Sequence, residues 1–325
     1  MLHPYKRFTP MSTDTPETIL LAVTGMSPAV VTETVWALAQ EDEPIIPDRV
    51  IVLTTQAGRS AVEQAMFATD GDEPCIWQQL RDALAAQGHD LTDRLRFGTT
   101  SDDLRVITAV DPTTGRSHEL NDLRDASEND AAADYLMQQV RSITSNPDSR
   151  LIASIAGGRK TMGALLYACM TLVGREDDRI THVVINSPYE NHPGFFFPGQ
   201  AKALTTREGE PLEAPAPAID LADVPFVPIS NLFKRELGRS AGSFSAMVAS
   251  CGRSVRRRAS EDLRLEIFTN RPALRLNQDE ITLTKREYHL MLCLVQRAKN
   301  EQPPLESYAE GLEAMQKHAA EWAEL

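Results

Sequence analysis

Along the first 200 positions, apolar residues fall into short unbroken runs separated by stretches that repeat every three or four residues. Thr18–Thr24 (TILLAVT) and Arg49–Thr54 (RVIVLT) are runs of strand length bounded by turn residues. Runs of this kind belong to parallel strands covered on both faces. Leu151–Ile155 and Thr181–Ile185 repeat the pattern, and Leu95–Phe97 is a shorter candidate. Between the runs, Ser27–Ala39 predicts a helix with Ser27 as N-cap, Pro28 at the first helical position, and Val31, Val35 and Leu38 on one face. Gln56–Phe67, Cys75–Ala85, Ala131–Thr144 and Thr161–Leu172 predict further helices. Strands alternating with helices in this way define an α/β fold with a mainly parallel sheet.

The pattern changes after residue 200. The stretch 201–218 is rich in Pro, Ala and Glu and reads as a linker. Beyond it, Val224–Ile229 reads as a strand, with helices around Leu232–Leu237 and Ser243–Val255. Short strands are expected at Leu263–Phe268, Ala273–Leu276 and Ile281–Leu283. Thr284 and Glu287 form a capping-box pattern at the head of a helix through Lys299, and a last helix covers about Leu305–Trp322. The expected organisation is an extension at 1–16, an α/β domain at 17–200, the linker, and a smaller α+β domain at 219–325.

Composition adds limits. At 325 residues, the chain has room for two domains, and 42% hydrophobic with 24% charged residues is ordinary for a globular protein. No apolar run approaches the roughly 18 residues of a membrane span, and Met1–Thr15 lacks the apolar segment of a signal peptide. Four scattered cysteines without C-x-x-C predict neither a disulfide framework nor a zinc site, so a cytoplasmic protein without bound metal or cofactor is expected. Residues 1–218 hold 18 Lys and Arg against 31 Asp and Glu, while 219–325 hold 15 of each. The first part therefore does not attract a long polyanion through its overall field, although a small anion can enter a locally basic pocket.

Ligands of parallel sheets bind beyond the carboxyl ends of the strands. Two loops there are unusual. One is Thr24-Gly25-Met26-Ser27-Pro28, and the other is Ala156-Gly157-Gly158-Arg159-Lys160-Thr161. Glycines let a backbone approach a ligand, and helix N-termini attract anions. Arg159 and Lys160 add two positive charges at one such start, so phosphate is the expected guest. Neither loop is a Walker A or a G-x-G-x-x-G sequence. On pattern alone, tight turns beside solvated charges would leave the same trace.

These residues go further than pattern. The two strings TGMSP and SIAGGRKTMG (Ser154–Gly163) closely resemble the CARF domain of CRISPR-associated proteins that sense cyclic oligoadenylates. Within that group they are most similar to the NE0113-type ring-nuclease family. Asp122-Leu123-Arg124, Asn129, Ala131–Ala133, Gly174-Arg175, Asp178, Thr181-His182-Val183 and Phe195–Pro198 also fit, so the resemblance covers about residues 17–200. It implies a Rossmann-like domain in a homodimer whose two-fold axis passes through a bound ring, cyclic tetra-adenylate first among the candidates. It further implies metal-free cleavage by the ligand's own 2′-OH, giving linear products that end in a 2′,3′-cyclic phosphate. Lys160, with Arg159 beside it, would supply positive charge at the reacting phosphate. Ser27 and the Gly25–Ser27 amides would hold phosphate or ribose oxygens. Thr55 and Gln56, and Asn186 and Ser187, stand by topology where adenine contacts belong, and also where ordinary loop caps belong. His118, His182 and His192 are candidate bases by chemistry, and a lone His in a strand, as at 182, is expected to pack in the core.

Two other readings compete. Related effectors add a HEPN ribonuclease domain with an R-x4–6-H motif, and the match here, Arg175-x6-His182, falls at a helix-to-strand join inside the first domain. The segment Leu263–Leu294 resembles the start of a winged helix, and Arg253, Arg256, Arg257 and Arg258 are suited to phosphate contacts. A regulator that senses the ring without cutting it is therefore the alternative. Against DNA binding, the 26 residues after Lys299 are too few for a complete module and hold six Glu against one Lys.

Overall fold

Strand β1 (Glu17–Val23) shows why the N-terminal runs are apolar throughout. Ile19, Leu21 and Val23 enter one core, Leu20 and Ala22 enter the other, and all five are buried. In this computed structural model the described residues are 16–69, 71–111, 113–200, 204–206, 210–212, 215–233, 243–260, 264–305 and 307–322. The chain divides into two compact units, one ending at Cys251 and the other running from Gly252 to Leu325.

The first unit is built on a six-stranded sheet. Its strands are β1, β2 (Arg49–Thr54), β3 (Leu104–Val106), β6 (Ser149–Ser154), β7 (Arg179–Ile185) and β8 (Ile219–Asp223), in the order β3-β2-β1-β6-β7-β8. Neighbours are parallel except β7 and β8. Helices α1 (Ala29–Ala39) and α3 (Ile76–Ala86) cover one face through Val31, Val35, Leu38, Trp77, Leu80 and Leu84. Helices α4 (Ala126–Thr144) and α5 (Lys160–Val173) cover the other through Leu136, Met137, Val140, Leu166, Cys169 and Met170. Helix α2 (Gln56–Val62) continues into a π turn at Glu63–Phe67, and β4 (Thr108–Val110) and β5 (Ser117–Glu119) form a separate hairpin. The mainly parallel doubly wound sheet agrees with the α/β expectation and is compatible with a Rossmann-like domain.

Several expectations are corrected. Leu95–Phe97 makes only a bridge at Arg96, because Asp93 and Leu95 adopt left-handed backbone (φ 57° and 51°) that cannot propagate a strand. Leu104–Val106 takes the edge instead. Helix α1 is capped by Pro28 with no side-chain bond, and Ser27 serves as acceptor for the Thr24 hydroxyl through its carbonyl (3.0 Å). Val224–Ile229 is not a strand. Pro225 and Pro228 lack the N–H groups a ladder needs, and Val224, Phe226 and Ile229 instead pack into the α4–α5 core. Ile219–Asp223, just before it, pairs along its whole length with Thr181–Ile185 of β7, so the boundary expected at 219 falls inside the first sheet. The described part of the 201–218 stretch is also anchored: Leu204 and Leu212 pack against Ile185, Tyr189 and Phe195, and Asn186 bonds the backbone of Ala216 and Ala218.

Helix α6 (Phe244–Ser260) buries Met247 and Cys251 in the first unit's core and runs on past the division. The second unit holds the antiparallel strands β9 (Leu265–Ile267), β10 (Ala273–Leu276) and β11 (Asp279–Thr282). Helix α7 (Lys285–Lys299) has the full Thr284–Glu287 capping box, and α8 is Tyr308–Trp322. The helix expected to Leu237 appears as a 3-10 turn at Ser230–Phe233, and 234–237 lie outside the described residues, as does residue 263. Arg253 and Arg256 are exposed on α6, while the side chains of Arg257 and Arg258 are outside the described set.

Candidate functional site

Strand order reverses between β1 and β6: β2 and β3 lie to one side of β1, β7 and β8 beyond β6. The β1–α1 and β6–α5 loops leave this switch point side by side, the place where open parallel sheets bind ligands. Their closeness explains the glycines. A Cβ at Gly25 would stand 3.4 Å from the Gly158 Cα. One at Gly157 would lie 2.7 Å from the Val23 carbonyl oxygen and 2.8 Å from a Val30 methyl, inside contact distance. Gly158 itself has φ +78°, a left-handed turn that aims the chain into α5.

Helix α5 begins without a side-chain cap, its N-cap position being Arg159. The first-turn amides of Lys160 and Thr161 have no intrahelical acceptor, and the first turn holds no acid. Gly158, Arg159, Lys160 and Thr161 are exposed and form one wall of a cleft of about 630 Å³. The opposite wall is Leu123, Arg124, Asp125, Ala126 and Asn129, from the start of α4. Two helix N-termini thus meet at one cleft, which favours an anion there.

Both of its arginines are paired with carboxylates. Arg159 grips Asp122 through two hydrogen bonds, Nε to Oδ1 at 2.8 Å and Nη2 to Oδ2. That guanidinium holds the Asp122 carboxyl down at about 2. Arg124 pairs with Glu128 (3.0 Å), and Asp125 caps α4 by accepting from the Glu128 amide (2.9 Å). Lys160 has no carboxylate partner among the described residues. Asn129 lines the cleft with its Oδ1 buried and unpartnered.

The residues singled out in the sequence separate into two groups. Thr24, Gly25, Gly157, Gly158, Arg159, Lys160 and Thr161 converge at the switch point, although Thr24 is fully buried and Pro28 is buried at the head of α1. Met26, 72% exposed, and Ser27 project from the same loop. Of the residues singled out, only Gly158, Arg159, Lys160 and Thr161 line the cleft itself; Thr24–Pro28 and Gly157 lie outside its lining, as do Thr55, Gln56, Asn186 and Ser187. Thr55 caps α2 by accepting from the Gly58 amide (3.3 Å), and Gln56 donates its amide to Leu120 and its side chain to Glu119. Asn186 is bound to the backbone of 216 and 218, and Ser187 is exposed ahead of Pro188.

The histidines also separate. His182 is exposed on β7, correcting the expectation that it packs in the core; the α4–α5 layer covers Ile180 but not the outer end of that face. His192 bonds the Thr205 carbonyl and accepts from the Gly194 amide. Arg175 of the R-x6-H match is tied to Asp178 and to the Asn146 carbonyl. The α4 wall was missed because the helix was expected to start at Ala131. Asp125 followed by Glu128 is the start signal that places it five residues earlier.

With this geometry in place, comparison with known families identifies a class, the CRISPR-associated proteins. The model of the family described as CRISPR-associated protein NE0113 matches residues 27–255, and the chain belongs to that family. The match runs from the loop before α1 into α6, taking in both walls of the cleft; β9–β11, α7 and α8 lie beyond it. A comparison with curated proteins finds no match. Among the described residues no helix is long and apolar enough to cross a membrane.

Proposed function

We propose that this protein is a ring nuclease of type III CRISPR defence, a cytoplasmic homodimer of CARF domains that binds cyclic tetra-adenylate and cuts it. The observation that carries the reading is the uncapped first turn of α5, with Lys160 unpaired among the described residues, in a cleft at the switch point of a parallel sheet. A phosphodiester placed there meets the Lys160 and Thr161 amides, the helix dipole and the Lys160 ammonium. In the cleavage step, the ribose 2′ oxygen forms a bond to the adjacent phosphorus and the 5′ oxygen leaves. The hydroxyl proton ends on that leaving oxygen, and a 2′,3′-cyclic phosphate remains. Lys160 stabilises the added negative charge on the five-coordinate phosphate, and the loops at Gly25–Ser27 and Gly157–Arg159 hold the ribose in line. Among the described residues no histidine lines the cleft, so the rate rests on positioning.

The test is to incubate purified protein with cyclic tetra-adenylate in EDTA, beside Lys160→Ala, and to separate the products. Linear di-adenylate from the wild type, at least tenfold less from the variant, supports the proposal. An intact ring that co-elutes with the protein would make it a sensor. The second unit, a three-stranded meander leading into a capped helix, would then be the place of output, and a gel shift with DNA from its own locus would test it.

A further inference from the structure

We infer that Asp122 is a tethered competitor at the ligand site, a carboxylate that occupies Arg159 in the place of a ligand phosphate. The inference rests on reading this cleft as the seat of an oligoadenylate. A carboxylate presents the same pair of oxygens to a guanidinium as a phosphodiester does, and the two-bond grip of Arg159 on Asp122 is the geometry a phosphate would take. The carboxylate is held at its post from both sides. Its Oδ1 also accepts from the Leu123 amide (2.7 Å), and the chain just before it is pinned to α2, where the Gln56 amide donates to Leu120 (2.9 Å) and the Ala57 amide to Asn121 (3.3 Å). One residue further back, Glu119 accepts from both terminal nitrogens of Arg59, Nη1 and Nη2, at 3.0 and 2.9 Å. Arg159 and Asp122 remain open to solvent, with side chains 53% and 34% exposed, so the partner can be exchanged without unfolding.

The consequence is a site that grades its ligands by phosphate number. A lone phosphate reaches Lys160 and the open turn of α5 but meets Arg159 already neutralised. A ligand with several phosphates is first anchored at Lys160, and its next phosphate then competes with Asp122 at high effective concentration. The second arginine of the cleft is arranged alike, since Arg124 is held by Glu128. A ring of linked phosphates thereby displaces Asp122 and gains Arg159, whereas a mononucleotide leaves the pair closed.

The experiment is a calorimetric titration of wild type and Asp122→Asn, at about 0.15 M salt, with cyclic tetra-adenylate and with adenosine 5′-monophosphate. Asn keeps the side-chain oxygen for the Leu123 amide and removes the charge; Asp122→Ser serves should the first variant melt early. The variant is expected to bind the ring roughly three- to tenfold tighter, with a smaller gain for the monophosphate, which does not displace Asp122 from Arg159, so that the preference for the ring grows. Ring binding that is unchanged or weaker in the variant overturns the inference, because Asp122 then only steadies Arg159. An equal or larger gain for the monophosphate overturns it too, since that reports net charge alone. Failure of the wild type and both variants to bind the ring overturns the reading of the cleft itself.

Discussion

Helices α2 and α5 both start at the carboxyl edge of the same sheet, and their first turns have opposite fates. In α2 the amides of Gln56 and Ala57 are taken by the Leu120 and Asn121 carbonyls, and that of Gly58 by the Thr55 hydroxyl. The hairpin β4–β5 closes over it, with Glu119 bound to Arg59 and Gln56. In α5 the corresponding turn is uncapped, free of acids and open to a cleft. Equivalent places in a topology are therefore not equivalent sites. A helix start becomes an anion site only when the chain has not already spent its donors.

The comparison breaks most severely if the open turn is disturbed from below. Gly157→Ala would push a methyl against the Val23 carbonyl and a Val30 methyl. A loss of about 3 kcal/mol in denaturant unfolding is expected, together with loss of ring binding.

The helices behind the loops offer a second contrast. Helix α1, behind the glycine loop, buries Glu33, whose carboxyl is pushed up by desolvation to about 8. With a folded value above the unfolded one, the folded state holds a proton that the unfolded state has lost. Stability is then highest at low pH and falls as pH rises towards the folded value. Between pH 6 and pH 8 the wild type should lose about 2 kcal/mol that Glu33→Gln does not lose. Parallel slopes for the two proteins would mean that Glu33 is charged in the fold.

The sharpest and smallest test sets the two first turns side by side. Lys160→Ala should weaken ring binding about tenfold with an unchanged melting temperature. Thr55→Ala should do the reverse, costing about 1 kcal/mol of stability with ring affinity intact. If Thr55→Ala instead weakens binding, the division between a spent and an open turn is wrong.

Much of the fold was legible in the chain. The runs at β1, β2 and β6 are apolar at odd and even positions alike because both faces of those strands are covered. A strand with one face in water would interrupt such a run with a polar residue at every second position. The glycine loops were legible for the same kind of local reason, as residues that only tight approach demands. The edges were not. Strand β3 has three residues, and β8 (IDLAD) carries two acids because it lies at the border of the sheet and is half exposed. Neither has a signature of its own.

The sequence by itself determined the alternation of strands and helices, the two loops at the strand ends, and the basic pair Arg159–Lys160 at a helix start. These depend on backbone sterics and on residues close together in the chain. Only the tertiary structure decided which polar groups remain available. Arg159 and Lys160 are adjacent and read alike, yet one is neutralised by Asp122, 37 positions away, and the other is not. Thr55 and Gln56 look as eligible as Ser27 until the strand-end loops are seen to satisfy them. Hydrogen bonds and ion pairs are exclusive and form between whatever the fold brings within about 3 Å, so a donor's freedom belongs to the folded arrangement rather than to the residue.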